Sequence, residues 1–377
     1  MKTPCYVIDE VRLEKNLRLL ASVRRRAGVK VLLAQKAFSC YDFYPLVAKY
    51  LDGTTASGIF EARLAHEEMP HRENHVFNPA FTEEDMSQLV KWCDHIVFNS
   101  VAQWKRFRGF HGLPSAGLRV NHGYSEIDHD IYNPCVAGSR LGVPRAYVSA
   151  EDLDGLEGLH FHTMCEQGAD VLARTLPRFE KQFGEFLPRM KWVNFGGGHH
   201  ITKPGYDIGL LVRTLKDFRR RHPGLEVYLE PGEAVALNAG TLEATVLEVM
   251  DYGTPLAILD ASAECHMPDV LAMPYRPPVV GAAEPGKKRF TYRLAGPTCL
   301  AGDVIGDYSF SRRLKPGSRV VFGDMAIYSI VKNNTFNGMP LPSIAVRRAS
   351  GKVEVLRSFG YADFKTRLGA RKVKRLA

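Results

Sequence analysis

The chain has 377 residues, 45% hydrophobic and 24% charged, which suits a globular protein of two domains or one large barrel with an addition. No apolar run is long enough to span a bilayer, and the opening MKTPCYVIDE lacks the apolar core of a signal peptide, so a cytoplasmic protein without a membrane partner is expected. The net charge of +9 sits mostly in local runs (24–26, 219–221, 287–289 and the tail 365–375) that read as solvated faces and ends, and no nucleic-acid motif accompanies them, so no nucleic-acid partner is expected.

The first element, PCYVIDE, has the texture of a β-strand. From about residue 28 to 245, short apolar runs alternate with amphipathic segments such as YDFYPLVAKYL and IFEARLAHEEM. The strand candidates are 29–35, 53–57, 75–79, 95–100, 117–121, 158–162, 191–197 and 225–231. Eight strands alternating with helices predict an α/β fold, a TIM-like (β/α)8 barrel over residues 22–245. A doubly wound sheet is the less favoured alternative, because polar or Gly-rich strand ends recur at several positions rather than at one switch point. After residue 245 the runs TLEATVLEVMDY, PLAILDAS, RFTYRLAG, SRVVFGD, PSIAVRRAS and KVEVLRSF predict a mostly antiparallel domain over 246–377, joined by the N-terminal strand 1–12.

Chemistry in such a barrel belongs at the C-terminal ends of its strands. Lys36 closes the first strand in VLLAQKAFS, with no carboxylate within five residues. Alone it reads most simply as a solvated lysine; partly buried, it would be a nucleophilic amine suited to a Schiff base. The glycines 196, 197 and 198 of NFGGGHH form either a flexible turn or a cradle for an anion such as phosphate. Glu230, in EPGE, is either part of a helix-entry turn or a carboxylate for a protonated ring nitrogen. His162, in GLHFHTMCE, is either a structural histidine or a surface for an aromatic ring.

Further along, GPTCLAGDVIGDY carries Cys299 and Asp303 in a Gly-rich loop, and Tyr328 stands beside a strand end in GDMAIYSIVKNNTFNG. Buried-thiol and core-packing readings are the plain alternatives for Cys299 and Tyr328. Cys265, His266 and Asp269 are near one another, but no fourth ligand has suitable spacing, and the seven scattered cysteines include no CxxC pair. Neither metal nor disulfides are expected.

Taken together, LLAQKAFS, GLHFHTMCEQ, WVNFGGGHHITKPGYD, YLEPGEAVALNAG, CHMPDVLAMPYRP, GPTCLAGDVIGDYSF and YSIVKNNTFNG resemble the fold-type III decarboxylases that use pyridoxal phosphate, the group that includes ornithine, arginine and diaminopimelate decarboxylases and alanine racemase. The blocks are most similar to its carboxynorspermidine/carboxyspermidine decarboxylase branch. They occur in that family's order from about residue 3 to 345. The resemblance implies that Lys36 carries pyridoxal 5'-phosphate, that His162 stacks on its ring, and that Glu230 pairs with the ring nitrogen. It implies phosphate contacts from Gly196, Gly197, Gly198 and Tyr328. It also implies a homodimer with shared active sites, in which Cys299 from the partner subunit returns a proton to the substrate carbon.

Ornithine- and diaminopimelate-type members carry arginine at the last position of the EPG motif, whereas this chain has Glu233. A carboxylate near a phosphate calls for a cation, which a polyamine substrate provides. Glu233, Asp269 and Asp303 are therefore taken as substrate-binding carboxylates. An ornithine- or diaminopimelate-like decarboxylase, and an inactive regulatory relative, are the alternatives.

Overall fold

The computed structural model describes residues 1–370, and the last residues of the basic tail 365–375 lie outside them. The chain divides into two units, Glu14–Val235 and the combination of Met1–Leu13 with the chain from Ala236 onward.

The strands, in chain order, begin with β1 (Cys5–Asp9). The first unit then holds β2 (Lys30–Ala34), β3 (Gly53–Ala56), β4 (Glu73–Phe77), β5 (His95–Phe98), β6 (Ser115–Asn121), the two-residue β7 (Val143–Pro144), β8 (Gly158–His160), β9 (Trp192–Asn194) and β10 (Glu226–Leu229). Eight of these pair in parallel in the order β2-β3-β4-β5-β6-β8-β9-β10, and β10 returns to β2 to close an eight-stranded barrel. β7 pairs only with β6.

Closure explains the composition of the strands. Val31, Leu32 and Leu33 are all fully buried, because a parallel strand under a ring of helices has no solvent face. The helix Ala169–Phe183 buries Val171, Leu172, Thr175, Leu176, Phe179 and Phe183, spaced by three or four residues on one face. Phe179 meets Phe161 at 4.7 Å between ring centroids. Inside the barrel, Trp192 fills space that glycines leave open: a Cβ on Gly158 would lie 2.1 Å from its indole, and one on Gly117 would lie 2.3 Å from it. The lower end is closed by a polar layer in which Lys30 bonds Glu73 and Tyr228, and His75 stacks on His95 at 3.9 Å.

The second unit is a mostly antiparallel sheet. It comprises β1 with β11 (Gly240–Asp251), β12 (Pro255–Leu259), β13 (Phe290–Ala295), β14 (Val304–Phe310), β15 (Arg319–Gly323), β16 (Ser343–Arg347) and β17 (Val353–Arg357). β1 lies between β11, antiparallel, and β16, parallel. A core of Tyr6, Leu242, Leu259, Leu294, Phe322 and Met325 packs beneath this sheet.

The boundaries differ from the sequence expectation. The barrel unit runs from 14 to 235 rather than from 22 to 245, because β11 begins at Gly240 and pairs along its length with β1, β12 and β15.

Candidate active site

The ladder between neighbouring barrel strands continues past their ends and draws the loops together. Phe161 N–H donates to the Asn194 carbonyl at 2.9 Å, Glu230 N–H to Gly196 at 2.8 Å, and Ala34 N–H to Pro231 at 3.2 Å. Lys36 follows β2, His162 follows β8, the glycines follow β9 and Glu230 follows β10, so these positions gather at one end of the barrel.

Lys36 is partly buried and makes no ion pair among the described residues. Burial, and then the charge of Arg119, lowers its pKa below that of an ordinary lysine, against the pull of Glu230. Glu230 is 9% exposed, and both of its oxygens are held. Asn194 Nδ2 donates to Oε1 at 2.7 Å, and His160 Nε2 lies 3.4 Å from Oε2. Burial alone would raise its pKa, but the His160 bond and the surrounding charge win, so the carboxylate stays ionised far into acid. His160 is held neutral chiefly by burial, so Nε2 is the donor.

His162 is likewise kept neutral, first by burial and then by Lys36 and Arg119. Gly197 N–H donates to its Nδ1 at 3.0 Å, which leaves the proton on Nε2 and sets the plane of the ring. Arg119 is buried, with its pKa pulled down to about 10 by burial, and it remains charged at neutral pH. It donates to the His162 carbonyl at 3.2 Å and lies 4.5 Å above the Phe77 ring.

The glycine turn is tight rather than loose. Gly196 and Gly198 have φ of +69° and +83°. A Cβ on Gly198 would lie 2.0 Å from the Met164 carbonyl, one on Gly196 2.5 Å from the Phe161 carbonyl, and one on Gly197 2.6 Å from the Glu230 carbonyl. Gly196 N–H donates to Asn194 Oδ1 at 2.8 Å, so the N–H groups of Gly196 and Gly197 both serve the turn itself.

Within the barrel unit the structure thus groups Lys36, His162, Gly196, Gly197, Gly198 and Glu230, with Glu233 in the first turn of the short helix Glu233–Ala236. His160, Asn194 and Arg119 belong to the same group and were missed by sequence reasoning. The GLHFH run held a signal for His160, because residues two apart on a strand share a face.

Cys299, Asp303, Asp269 and Tyr328 lie in the sheet unit. The Cys299 thiol is exposed, and its backbone N–H donates to Asn337 Oδ1 at 2.8 Å. Tyr328 adopts φ +53° at the start of the helix Ser329–Lys332, with the Lys332 ammonium 5.1 Å from its ring centroid. Lys332 Nζ donates to Asp269 Oδ1 at 2.6 Å, so Asp269 already has a cation.

Asp303 departs from expectation. It is 3% exposed, and its carboxylate accepts from Ser262 Oγ at 2.9 Å, Ala263 N at 2.7 Å and Thr298 Oγ1 at 2.7 Å. Its oxygens are committed to tying the Cys299 loop to the helix Ala263–His266, which leaves them little capacity to take up a substrate cation, against expectation. The ring nitrogens of His266 are also committed, to Ser262 N and the Pro340 carbonyl.

The family model described as "Pyridoxal-dependent decarboxylase, C-terminal sheet domain" matches residues 5–326. The carboxynorspermidine/carboxyspermidine decarboxylase of Campylobacter jejuni is 43% identical, over 97% of this chain and 98% of that protein. The carboxyaminopropylagmatine decarboxylase of Synechocystis is 42% identical, over 98% of this chain and 96% of that protein. The crystal structure of carboxynorspermidine decarboxylase complexed with norspermidine from Campylobacter jejuni has a TM-score of 0.91 at 42% identity, covering 97% of this chain and all (100%) of that one. With a lysine, an ionised carboxylate and a tight glycine turn at one end of its barrel, and with these matches along its length, this chain belongs to the pyridoxal-dependent decarboxylases, enzymes whose cofactor is pyridoxal phosphate.

Proposed function

We propose that this enzyme decarboxylates carboxynorspermidine, carboxyspermidine or both, yielding norspermidine or spermidine for polyamine biosynthesis, and that it works in the cytoplasm as a homodimer with shared active sites. The observation that carries the substrate reading is the 42% identity, over 97% of the chain, to an enzyme solved with norspermidine. A third relative, from Herminiimonas arsenicoxydans, carries the same carboxynorspermidine/carboxyspermidine decarboxylase name at 37% identity.

The residues present suit the cofactor. Lys36 is an amine without an ion pair among the described residues, Glu230 keeps lone pairs beyond the two already used, and the glycine turn admits no Cβ. When bound, pyridoxal phosphate supplies the electron sink for the pair released as the carboxylate leaves Cα. Lys36 Nζ would hold the cofactor, and its lowered pKa suits an amine that must give way to the substrate amine. Glu230, being ionised, would accept the ring N–H and keep that proton in place. His162 would offer its ring face, steadied by Gly197, while Gly198 and Tyr328 would hold the phosphate and Gly196 and Gly197, whose N–H groups serve the turn, would let it approach closely. Cys299 Sγ–H would supply the proton that Cα takes up once carbon dioxide has left. Glu233 and Asp269 take the substrate's cationic nitrogens, so the amine competes with Lys332 at Asp269.

The two substrates differ by one methylene, worth roughly 1–3 kcal/mol in an apolar pocket. The Synechocystis relative favours a second reading, because agmatine ends in a guanidinium where spermidine ends in an ammonium. The deciding experiment incubates the enzyme and pyridoxal phosphate with carboxynorspermidine, carboxyspermidine and carboxyaminopropylagmatine separately and identifies products by mass. Loss of carbon dioxide from either polyamine acid supports the proposal; turnover of the agmatine compound alone replaces it.

A further inference from the structure

Glu166 and His200 come from the loops that follow β8 and β9 and Glu233 from the first turn of the helix after β10, and one donor atom of each lies within 4.8 Å of the other two. His200 is 6% exposed, and neither of its ring nitrogens has a hydrogen-bond partner among the described residues. A buried imidazole with both nitrogens idle costs free energy that a ligand at either nitrogen would recover. We propose that Glu166, His200 and Glu233 bind a divalent transition-metal ion, with water completing its coordination.

The donor set fits that class of ion. One imidazole and two carboxylates suit manganese or zinc, whereas magnesium and calcium favour oxygen ligands alone. Donors about 2.1 Å from a shared ion stand roughly 3–4 Å apart, so rotation of the side chains closes the gap. The His200 ring reaches both carboxylates through a single nitrogen, as a shared ion requires. Cys165 is the neighbouring thiol, and it is half-buried. Lys203 is the other charge that acts on His200. Glu166 is exposed at φ +51°, a left-handed conformation costly for a residue with a Cβ, and it leaves the trio open to ions from solvent.

The site does not depend on the substrate reading. Because Glu233 is common to both proposals, an ion here and a substrate amine would exclude one another.

The test uses the full-length enzyme loaded with pyridoxal phosphate and freed of ions by dialysis against a chelator. Manganese chloride is then titrated while the signal of the free ion is followed by electron paramagnetic resonance; manganese is chosen over zinc because the free cysteines bind it poorly. The expected result is one bound ion per chain, weakened at least tenfold in both Glu166→Gln and His200→Gln. Glu166 is exposed, so its variant keeps the fold even if the buried histidine variant does not. Absence of saturable binding, or wild-type binding by Glu166→Gln, overturns the proposal. So does saturable binding of norspermidine at the trio with no uptake of manganese.

Discussion

His160 and Glu230 share a contact inside the barrel end, Nε2 to Oε2 at 3.4 Å, with Asn194 holding the other carboxylate oxygen at 2.7 Å. The neutral imidazole acts as a donor, so the carboxylate remains an anion where burial alone would have protonated it.

Replacing Glu230 with glutamine keeps its shape and removes its charge. Turnover is expected to fall roughly a hundredfold or more, the scale seen when an oriented charge at a reacting centre is lost. The pH dependence has a definite sign. The folded-state pKa of Glu230 lies below its unfolded value of about 4.3, so its contribution to stability is complete above that pH and is lost as the solution becomes more acidic. The stability gap between wild type and Glu230→Gln, read from urea melts, should therefore be widest near neutrality and narrow below about pH 4. A gap that widened in acid would contradict this assignment.

Lys36→Ala should abolish the visible absorbance of the lysine-linked cofactor and lower turnover by about three orders of magnitude or more. Spectra of the purified variant with added pyridoxal phosphate check this directly. Retention of both absorbance and activity would remove Lys36 from the mechanism.

Gly198→Ala forces a Cβ to within 2.0 Å of the Met164 carbonyl at φ +83°. Backbone strain of this kind costs on the order of 1–3 kcal/mol, before any cost of moving the loop. Thermal melting should show the loss, and equilibrium dialysis should show weaker retention of pyridoxal phosphate. A variant matching wild type in both would mean that the turn is free to open.

The Cys299 thiol is exposed, so Cys299→Ser should melt with the wild type. Its hydroxyl is a much weaker acid, and turnover should drop about 10²–10⁴-fold if the thiol is the proton donor. An unchanged rate would assign the donor elsewhere. Mixing Cys299→Ser with Lys36→Ala also tests the shared site, since mixed dimers regain activity only if one active site draws on both chains.

Glu233→Gln should raise the Michaelis constant for the polyamine substrate with a smaller change in turnover, as expected for lost ground-state binding. Lys332→Met, by releasing Asp269 from its internal cation, should move the constant the opposite way. If Glu233→Gln leaves it unchanged, the amine contact at Glu233 is wrong.

The sequence by itself determined the barrel, because eight buried parallel strands under helices impose an alternation that the order of apolar and polar residues displays. It also marked Lys36, His162, the 196–198 glycines and Glu230, each at the end of a strand, where the fold puts chemistry. Only the tertiary structure decided what those ends meet. The His160–Glu230 contact and the Glu166–His200–Glu233 trio join loops far apart in sequence, which spacing along the chain does not encode. The fate of a polar residue was equally illegible: Asp303 looks like a ligand in its Gly-rich loop until five donors, from Ser262, Ala263, Glu264 and Thr298, are seen around it. The boundary near 245 slipped for a related reason. The β texture of TLEATVLEVMDY was readable, but its membership in the sheet is settled by pairing with β1, β12 and β15, and hydrogen-bonding partners belong to the fold rather than to the strand.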